Sequence, residues 1–296
     1  MKSQQQHPQV FSCEFFPPAT VAGMETLRNT RAALKRLQPT FFSVTYGAGG
    51  TTRDRTLEAV LEIQLNDGID AAPHLTCIGS TRASIRALLE HYRTHGIRRI
   101  VALRGDLPSG MRTPGEFRNA NELVTFIRAE TGDHFHIEVA AYPEVHPQAT
   151  SPQADLLNFK RKVNAGASSA ITQYFFNADA YLRFIDDCEK LGIDLPIVPG
   201  IMPITNFKQL ARFSDGCGAE IPRWIRKRLD GFGDDLVSIR AFGQEVVTSL
   251  SGRLLEEGAP GLHFYTMNRA KPTLGICRNL GLALFDTTRM SAGGRA

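Results

Sequence analysis

Eight short runs of apolar, β-branched and aromatic residues alternate along the chain with segments of helical periodicity, and this alternation constrains the fold most. The predicted strands are Val10–Phe16, Thr40–Tyr46, Ala71–Ile78, Ile97–Leu103, His136–Ala141, Ala170–Phe176, Ile197–Ile201 and Leu262–Thr266. The predicted helices after them are Met24–Leu37, Arg53–Leu65, Arg82–His95, Glu116–Ala129, Gln153–Ala165, Ala178–Leu191, Asn206–Phe213 and Lys271–Leu280. Eight βα units close a parallel barrel.

Two further helical segments, Ile221–Leu229 and Asp234–Glu257, interrupt the alternation before the last strand. No Pro/Gly/Ser-rich linker or composition shift divides the chain. We therefore predict an α/β fold, a (β/α)8 TIM barrel, as a single catalytic domain over residues 1–296 with extra helices between strands 7 and 8. Residues 1–9 and 286–296 are predicted to be flexible termini. An open doubly wound sheet is the alternative, disfavoured because no G-x-G-x-x-G motif follows the first strand.

Charge and composition exclude several classes of protein. The 34 basic and 30 acidic residues give a net charge of +4 without a basic block, so a nucleic-acid partner is not expected. The 5 cysteines form no C-x-x-C pair, which argues against a disulfide framework or a zinc site. His134 and His136 are spaced like metal ligands but have no Cys or acidic partner nearby, so we predict no metal. The absence of long apolar runs predicts no membrane partner and a cytoplasmic location.

Polar, titratable or aromatic residues follow nearly every predicted strand. In strand order, examples are Glu14, Tyr46, His74, Asp106, Tyr142, Gln173, Phe207 and Arg269. Because barrel enzymes build their active sites at the carboxyl ends of the strands, this concentration favours an enzyme over a scaffold.

Glu14 carries the clearest chemical signal, because Phe11, Phe15 and Phe16 surround it in the sequence. Desolvation in such company is expected to raise its pKa, which suits a general acid. A buried structural Glu paired with an Arg of a neighbouring strand is the alternative. Taken alone, Asp106 could equally be a turn or helix-cap aspartate.

Eight segments together carry a more specific signal. They read CEFFPP, FFSVTYGAGGTTRDRT, AAPHLTCI, RRIVALRGDLP, VAAYPEVHP, QADLLNFKRKVNAGASSAITQYFF, PGIMPITNFKQL and HFYTMNRA. In this order, over residues of about 10 to 281, they resemble the bacterial methylenetetrahydrofolate reductases. The resemblance implies a noncovalent FAD, a homo-oligomer, and ping-pong reduction of 5,10-methylenetetrahydrofolate to 5-methyltetrahydrofolate by NADH or NADPH, with NADH favoured. Its product feeds methyl groups to methionine synthesis.

The resemblance also implies roles for individual residues. Glu14 matches the proton donor, and Asp106 matches a carboxylate between flavin and pterin. Cofactor contacts are implied for Thr45, Tyr46, Ala48, His74, Arg104, Gly105, Asp106, Ala120, Tyr142, His146, Ala149, Asp155, Asn158, Arg161 and Lys162. Substrate contacts are implied for Gln173, Phe207 and Arg269. The chain departs from the resemblance at Lys271-Pro272, where an acidic residue followed by a non-proline residue is commoner.

The helix after the fifth strand supports these roles independently. Asp155, Asn158 and either Arg161 or Lys162 recur at turn spacing and share one helix face. The two cations can neutralise a diphosphate, while the Asp and Asn can bond ribose hydroxyls. A solvated charged face is the alternative.

Three other functions fit the pattern less well. A different flavin barrel, such as a proline-dehydrogenase-like enzyme, would share the cofactor but not the substrate. A class-I-aldolase-like lyase would need a lysine at a strand end, and we find none. A folate- or flavin-binding module without activity is the third.

Overall fold

The computed structural model describes residues 1–46, 53–106 and 115–282, and within them parallel strands form a nearly closed barrel. The sheet order is β7-β6-β5-β4-β3-β2-β1-β9-β8. The strands are β1 Val10–Phe15, β2 Phe41–Val44, β3 Asp70–Thr76, β4 Arg99–Leu103, β5 His136–Ala141, β6 Ser169–Thr172, β7 Ile197–Val198, β8 Gly200–Ile201 and β9 Gly261–Tyr265. The predicted (β/α)8 barrel is confirmed.

Pro199 breaks the seventh predicted strand into β7 and β8. Proline has no backbone N–H and cannot donate to a ladder. Its carbonyl still accepts a hydrogen bond from the backbone N–H of His263 at 3.0 Å. β7 pairs with β6 on one side, and β8 pairs with β9 on the other. The two halves of this one strand therefore bring the ends of the sheet together.

Helices surround the barrel. They are α1 Lys2–Gln5, α2 Val21–Lys35, α3 Arg53–Glu62 with a π-helical turn at Ile63–Asp67, α4 Arg82–Thr94, α5 Ala120–Thr131, α6 Pro152–Asn164, α7 Ala178–Lys190, α8 Phe207–Cys217, α9 Arg223–Phe232, α10 Leu236–Glu256 and α11 Ala270–Asn279. Helices α9 and α10 confirm the predicted insertion before the last strand. Across the described ranges, no helix combines the length and apolar character needed to cross a bilayer.

The N-terminus begins with a short helix that contacts the barrel. Residues 2–5 form α1, and the side chain of Gln4 is buried. Its amide nitrogen donates to the carbonyl of Leu195 at 3.2 Å, and its amide oxygen accepts from the N–H of Ile197 at 2.8 Å. These bonds join residues far apart in the chain, so no local sequence pattern indicates them, and the flexibility of residues 1–9 stays a prediction. Residues 286–296 lie outside the described residues.

Helix α5 begins at Ala120 rather than at the predicted Glu116. The N–H of Glu116 donates to the carbonyl of Ser80 at 3.2 Å, and its carboxylate accepts from the N–H of Arg82. These bonds tie the segment to the loop after β3, so it cannot join the helix.

Alternation along each strand separates the barrel interior from the layer between barrel and helices. In β1, Cys13 and Phe15 pack in the large outer core, so Ser12 and Glu14 face the interior. A small apolar cluster fills the middle of the barrel: Phe41, Ala72, Val101 and Ile171. Glu14 lies near the carboxyl end of β1, where barrel enzymes carry out their chemistry.

Candidate active site

Glu14 lies between two histidines inside the barrel mouth. Its Oε2 atom is 3.2 Å from Nε2 of His74, on β3, and 3.6 Å from Nε2 of His263, on β9. The Glu14 side chain is 18% exposed, so a small ligand can still reach it. Strands near one another in the barrel therefore bring together three titratable groups that are distant in the sequence.

The two histidines lower the pKa of Glu14, whereas the sequence predicted that it would be raised. Burial by itself raises the pKa of Glu14. The charge on His74 and hydrogen bonds from both histidines outweigh burial and lower the pKa from 4.5 to about 2. The prediction of a raised pKa was wrong because it considered only the phenylalanines adjacent in sequence. Glu14 is therefore a carboxylate at neutral pH, and any proton it delivers must first reach it from a neighbour.

Ser12 extends this cluster behind His263. Its hydroxyl lies 2.7 Å from Nδ1 of His263, and both side chains are buried. If the hydroxyl donates to Nδ1, the neutral imidazole carries its proton on Nε2, directed at Glu14. Sequence reasoning missed both residues. The strand period was the available signal, since Ser12 and Glu14 share one face of β1.

A cavity of about 280 Å³ opens beside Glu14. Gln173, Tyr142 and Tyr265 contribute polar groups to it, and the rest of its wall is mainly apolar or aromatic. The Tyr265 hydroxyl donates to the carbonyl of Thr172 at 2.7 Å, which fixes that ring. A cavity with apolar walls and a few polar groups suits a flat heterocycle.

A second cavity of about 290 Å³ adjoins the first, because Leu103, Ala140 and Tyr142 line both. It runs from the loop after β4 to helix α6. Its lining includes most of the predicted cofactor residues: Arg104, Gly105, Asp106, Ala120, Tyr142, His146, Ala149, Asp155, Asn158 and Lys162. The structure thus gathers along one groove residues from four separate segments of sequence.

Two cations, Lys162 and Arg104, line this groove together with the carboxylates of Asp106 and Asp155. The Lys162 ammonium donates to the carbonyl of Ala140, and burial lowers its pKa to about 8 against the opposing charge of Asp155. Arg104 is held by Gln148, which accepts from Nη2 at 2.5 Å. Fixed cations of this kind match a phosphate-bearing ligand.

Hydrogen bonds connect helix α6 to the loop that precedes it. Ser151 caps the helix, and the Asp155 carboxylate accepts from the N–H of His146 at 2.7 Å. Burial lowers the pKa of His146, against the opposing charge of Asp155. Val145 has a φ of 77°, rare for a β-branched residue. This strained loop therefore keeps a defined shape beside the groove.

Gly105 has no side chain for a conformational reason. Its φ is 83°, and a Cβ there would lie 3.0 Å from Cβ of Thr76. Glycine tolerates both the positive φ and the close approach of Thr76.

Several predicted site residues lie elsewhere or at the edge of the described region. Thr45 and Tyr46 follow β2, and Ala48 lies outside the described residues. Arg161 is exposed and donates to the Asn158 amide oxygen at 2.5 Å, so of the adjacent cations Lys162 faces the groove.

The three predicted substrate contacts are spread over three places. Gln173 lines the Glu14 cavity. Phe207 begins α8 and packs, partly buried, against the outer core. Arg269 precedes α11 and lines a third cavity. The roles of Phe207 and Arg269 therefore stay predictions.

Comparison with known proteins gives concordant matches. A family model described as methylenetetrahydrofolate reductase matches residues 1–281. The 5,10-methylenetetrahydrofolate reductase of Escherichia coli strain K12 is 48% identical over 271 residues, which are 92% of this chain and 90% of that protein. Methylenetetrahydrofolate reductase (NADH) 1 of Arabidopsis thaliana is 40% identical over 294 residues, 95% of this chain and 49% of that protein.

A solved structure shares the fold. It is an uncharacterized protein from Clostridium thermocellum, described as binding two copies of 5-methyl-5,6,7,8-tetrahydrofolic acid. The two chains superpose with a TM-score of 0.64 at 17% identity, covering 96% of each. At this identity the similarity establishes the barrel fold alone.

Proposed function

The chain belongs to the methylenetetrahydrofolate reductase family, and we propose that it reduces 5,10-methylenetetrahydrofolate to 5-methyltetrahydrofolate with FAD and a reduced nicotinamide. The observation that carries this proposal is the position of Glu14. A carboxylate flanked by two histidines lies at the mouth of the barrel, beside a cavity that continues into a groove with fixed cations.

The groove residues fit FAD chemically. Lys162 and Arg104 supply positive charge for a diphosphate, and Asp155 and Asn158 supply acceptors and a donor for ribose hydroxyls. Gly105 lines the same groove. When bound, FAD supplies the hydride carrier between nicotinamide and folate, which makes the reaction ping-pong.

Gln173 of the Glu14 cavity and Asp106 of the adjoining groove would orient the folate. The Gln173 side chain can bond a pterin edge, since an amide both donates and accepts. The Asp106 carboxylate would hold the pterin and favour the cationic folate that forms when the methylene bridge opens. Phe207 remains the proposed stacking residue.

Opening the methylene bridge requires a proton on the departing folate nitrogen. Glu14 is the proposed donor, directly or through a water molecule. Because the pKa of Glu14 in the described structure is about 2, Glu14 must receive a proton from His74 or His263 before it can donate one. A ligand that displaces water from the carboxylate would also favour its neutral form. Glu14, His74 and His263 together would thus supply the proton that ring opening requires.

The finer details of the proposal rest on the family. The name of the Arabidopsis relative includes NADH, which supports NADH as the favoured reductant. A single catalytic domain, a cytoplasmic homo-oligomer and a role in supplying methyl groups for methionine belong to the same proposal.

Anaerobic absorbance spectroscopy of the purified protein tests the function. We expect flavin absorbance that NADH bleaches faster than NADPH and that methylenetetrahydrofolate restores. Bleaching by proline instead would indicate the rival flavin barrel. A colourless protein that does not take up FAD, or a bleached flavin that the folate cannot reoxidise, would contradict the proposal.

A further inference from the structure

The charge of Glu14 is balanced by side chains that can lose their proton. In the described part of the chain, Glu14 forms ion pairs with His74 and His263 and with no lysine or arginine. An ion pair of this kind can neutralise itself by passing a proton from the imidazolium to the carboxylate. Removing water from such a pair favours the neutral form. A ligand that fills the Glu14 cavity would therefore promote this transfer.

A second cluster of the same composition lies where β4, β5 and β6 begin, and it provides a contrast. Nε2 of His136 is 2.6 Å from the Ser169 hydroxyl and 3.4 Å from the Glu138 carboxylate. Arg99 also pairs with Glu138. Because a guanidinium does not lose its proton in a protein, Glu138 keeps a permanent counterion and its charge. Of these two carboxylates, Glu14 is the one that an internal proton transfer can neutralise.

His263 differs from His74 in its access to ligands. His74 lines the Glu14 cavity, whereas His263 is fully buried and does not line it. The Phe41 ring stacks on the His263 ring with 6.0 Å between centroids, and the Tyr265 ring packs edge-on at 5.2 Å. A proton on Nε2 of His263 therefore reaches the cavity through Glu14, which lies 3.6 Å away.

The Ser12 hydroxyl can bond His263 in both of its charge states. A hydroxyl donates or accepts, so its 2.7 Å contact satisfies Nδ1 whether or not that nitrogen carries a hydrogen. Ser12 is buried, so bulk water does not compete for this bond. Ser12 thus keeps Nε2 of His263 directed at Glu14 before and after a proton leaves.

We propose that His263, oriented by Ser12, holds the proton that Glu14 delivers. When the folate enters the cavity, the Nε2–H bond of His263 breaks and an O–H bond forms on Glu14, so both charges disappear. Opening of the methylene bridge then moves this proton to the departing folate nitrogen, which leaves a Glu14 carboxylate beside a neutral His263. A proton from water restores the ion pair after the product leaves. His263 and Ser12 are positioning residues, because they act through Glu14, and this inference rests on the proposed function.

Binding of tetrahydrofolate to the oxidised, FAD-loaded protein tests the transfer without turnover, because this folate lacks the methylene group. Infrared difference spectra report the carbonyl stretch of a protonated carboxylic acid, and a pH-indicator dye reports proton uptake from the medium. For wild type at pH 7 we expect an acid band that Glu14→Gln lacks, with no more proton uptake than Glu14→Gln shows. A band that appears with stoichiometric proton uptake, or no band at all, overturns the inference.

Substitutions identify the donor. His263→Gln keeps an N–H for Glu14 but cannot carry an extra proton, so its acid band should disappear or should require proton uptake. Flavin reoxidation by methylenetetrahydrofolate should slow by about 10²-fold in this variant, while flavin reduction by NADH should change little. Ser12→Ala should weaken the acid band. His136→Gln is the matched control, because it makes the same change in the cluster that contains Arg99, and it should keep the band and both rates.

The contrary results differ from one another. If His74→Gln loses the band that forms without proton uptake and His263→Gln keeps it, His74 is the donor and this inference is overturned. Equal slowing of both half-reactions in His263→Gln, with the band intact, would show that His263 serves packing alone. Both results leave the proposed reductase activity standing. If tetrahydrofolate does not bind the FAD-loaded wild type, the proposed function itself fails.

Discussion

Replacing Glu14 by glutamine should separate the two half-reactions. The change keeps the size of the side chain but removes the negative charge between His74 and His263. Because an amide cannot deliver a proton, folate reduction should fall by about 10²- to 10⁴-fold, the usual contribution of a general acid. Flavin reduction by NADH should stay within a few-fold of wild type, since that step needs no proton on the folate.

The same change should affect stability in a pH-dependent way. The fall of the Glu14 pKa from 4.5 to about 2 corresponds to roughly 3 kcal/mol of stabilisation. A depressed pKa gives a contribution that is complete above pH 4.5 and disappears as pH falls through 2. Glu14→Gln should therefore be less stable than wild type by up to this amount at pH 7. The difference in the free energy of unfolding between wild type and Glu14→Gln should narrow between pH 4.5 and 2, because wild type loses the stabilisation from ionised Glu14 over that range.

Anaerobic stopped-flow absorbance measures each half-reaction, and urea unfolding at pH 7 and pH 3.5 measures stability. Glu90→Gln is the control, because Glu90 is 61% exposed and far from the site in the fold, on α4. Near-wild-type reoxidation of the flavin by methylenetetrahydrofolate in Glu14→Gln would refute the assignment of Glu14 as donor. Equal loss of both half-reactions would show a damaged site instead of a missing proton.

Three further predictions concern the groove and the barrel interior. Lys162→Ala should weaken FAD binding by at least about tenfold, whereas Arg161→Ala should have little effect. In wild type the affinity for FAD should fall as pH rises through 8 and Lys162 loses its charge, and Lys162→Ala should abolish this pH dependence. Fluorescence titration of the apoprotein with FAD checks both variants, and equal effects would place the diphosphate elsewhere. Asp106→Asn should raise the flavin midpoint potential and slow folate reduction, because it removes a negative charge at the groove; an unchanged or lower potential in spectroelectrochemical titration contradicts that placement. Glu138→Gln should cost about 3–5 kcal/mol in urea unfolding at pH 7, since it leaves the Arg99 guanidinium, whose side chain is only 13% exposed, without its counterion; a loss below about 1 kcal/mol would show that the pair is not needed for stability.

The architecture could be predicted from the sequence alone. Strand and helix periodicity reflect local backbone geometry, so eight βα units and the insertion before the last strand could be read directly. Strand ends such as those at Glu14, Asp106 and Gln173 could be recognised for the same reason, because the carboxyl ends of parallel strands meet at one side of a barrel.

The interactions between these groups could not be predicted, because they depend on the three-dimensional fold. Ser12 and His263 are 251 positions apart, yet their side chains are hydrogen-bonded beside Glu14. The sign of the Glu14 pKa change depends on His74 and His263, which reach it from other strands. Partners distant in the sequence also determine three other features: which of Arg161 and Lys162 faces the groove, the hydrogen bonds of Gln4, and the break between β7 and β8 at Pro199. Electrostatic and hydrogen-bond energies depend on distance in space, and residue spacing along a chain does not encode that distance.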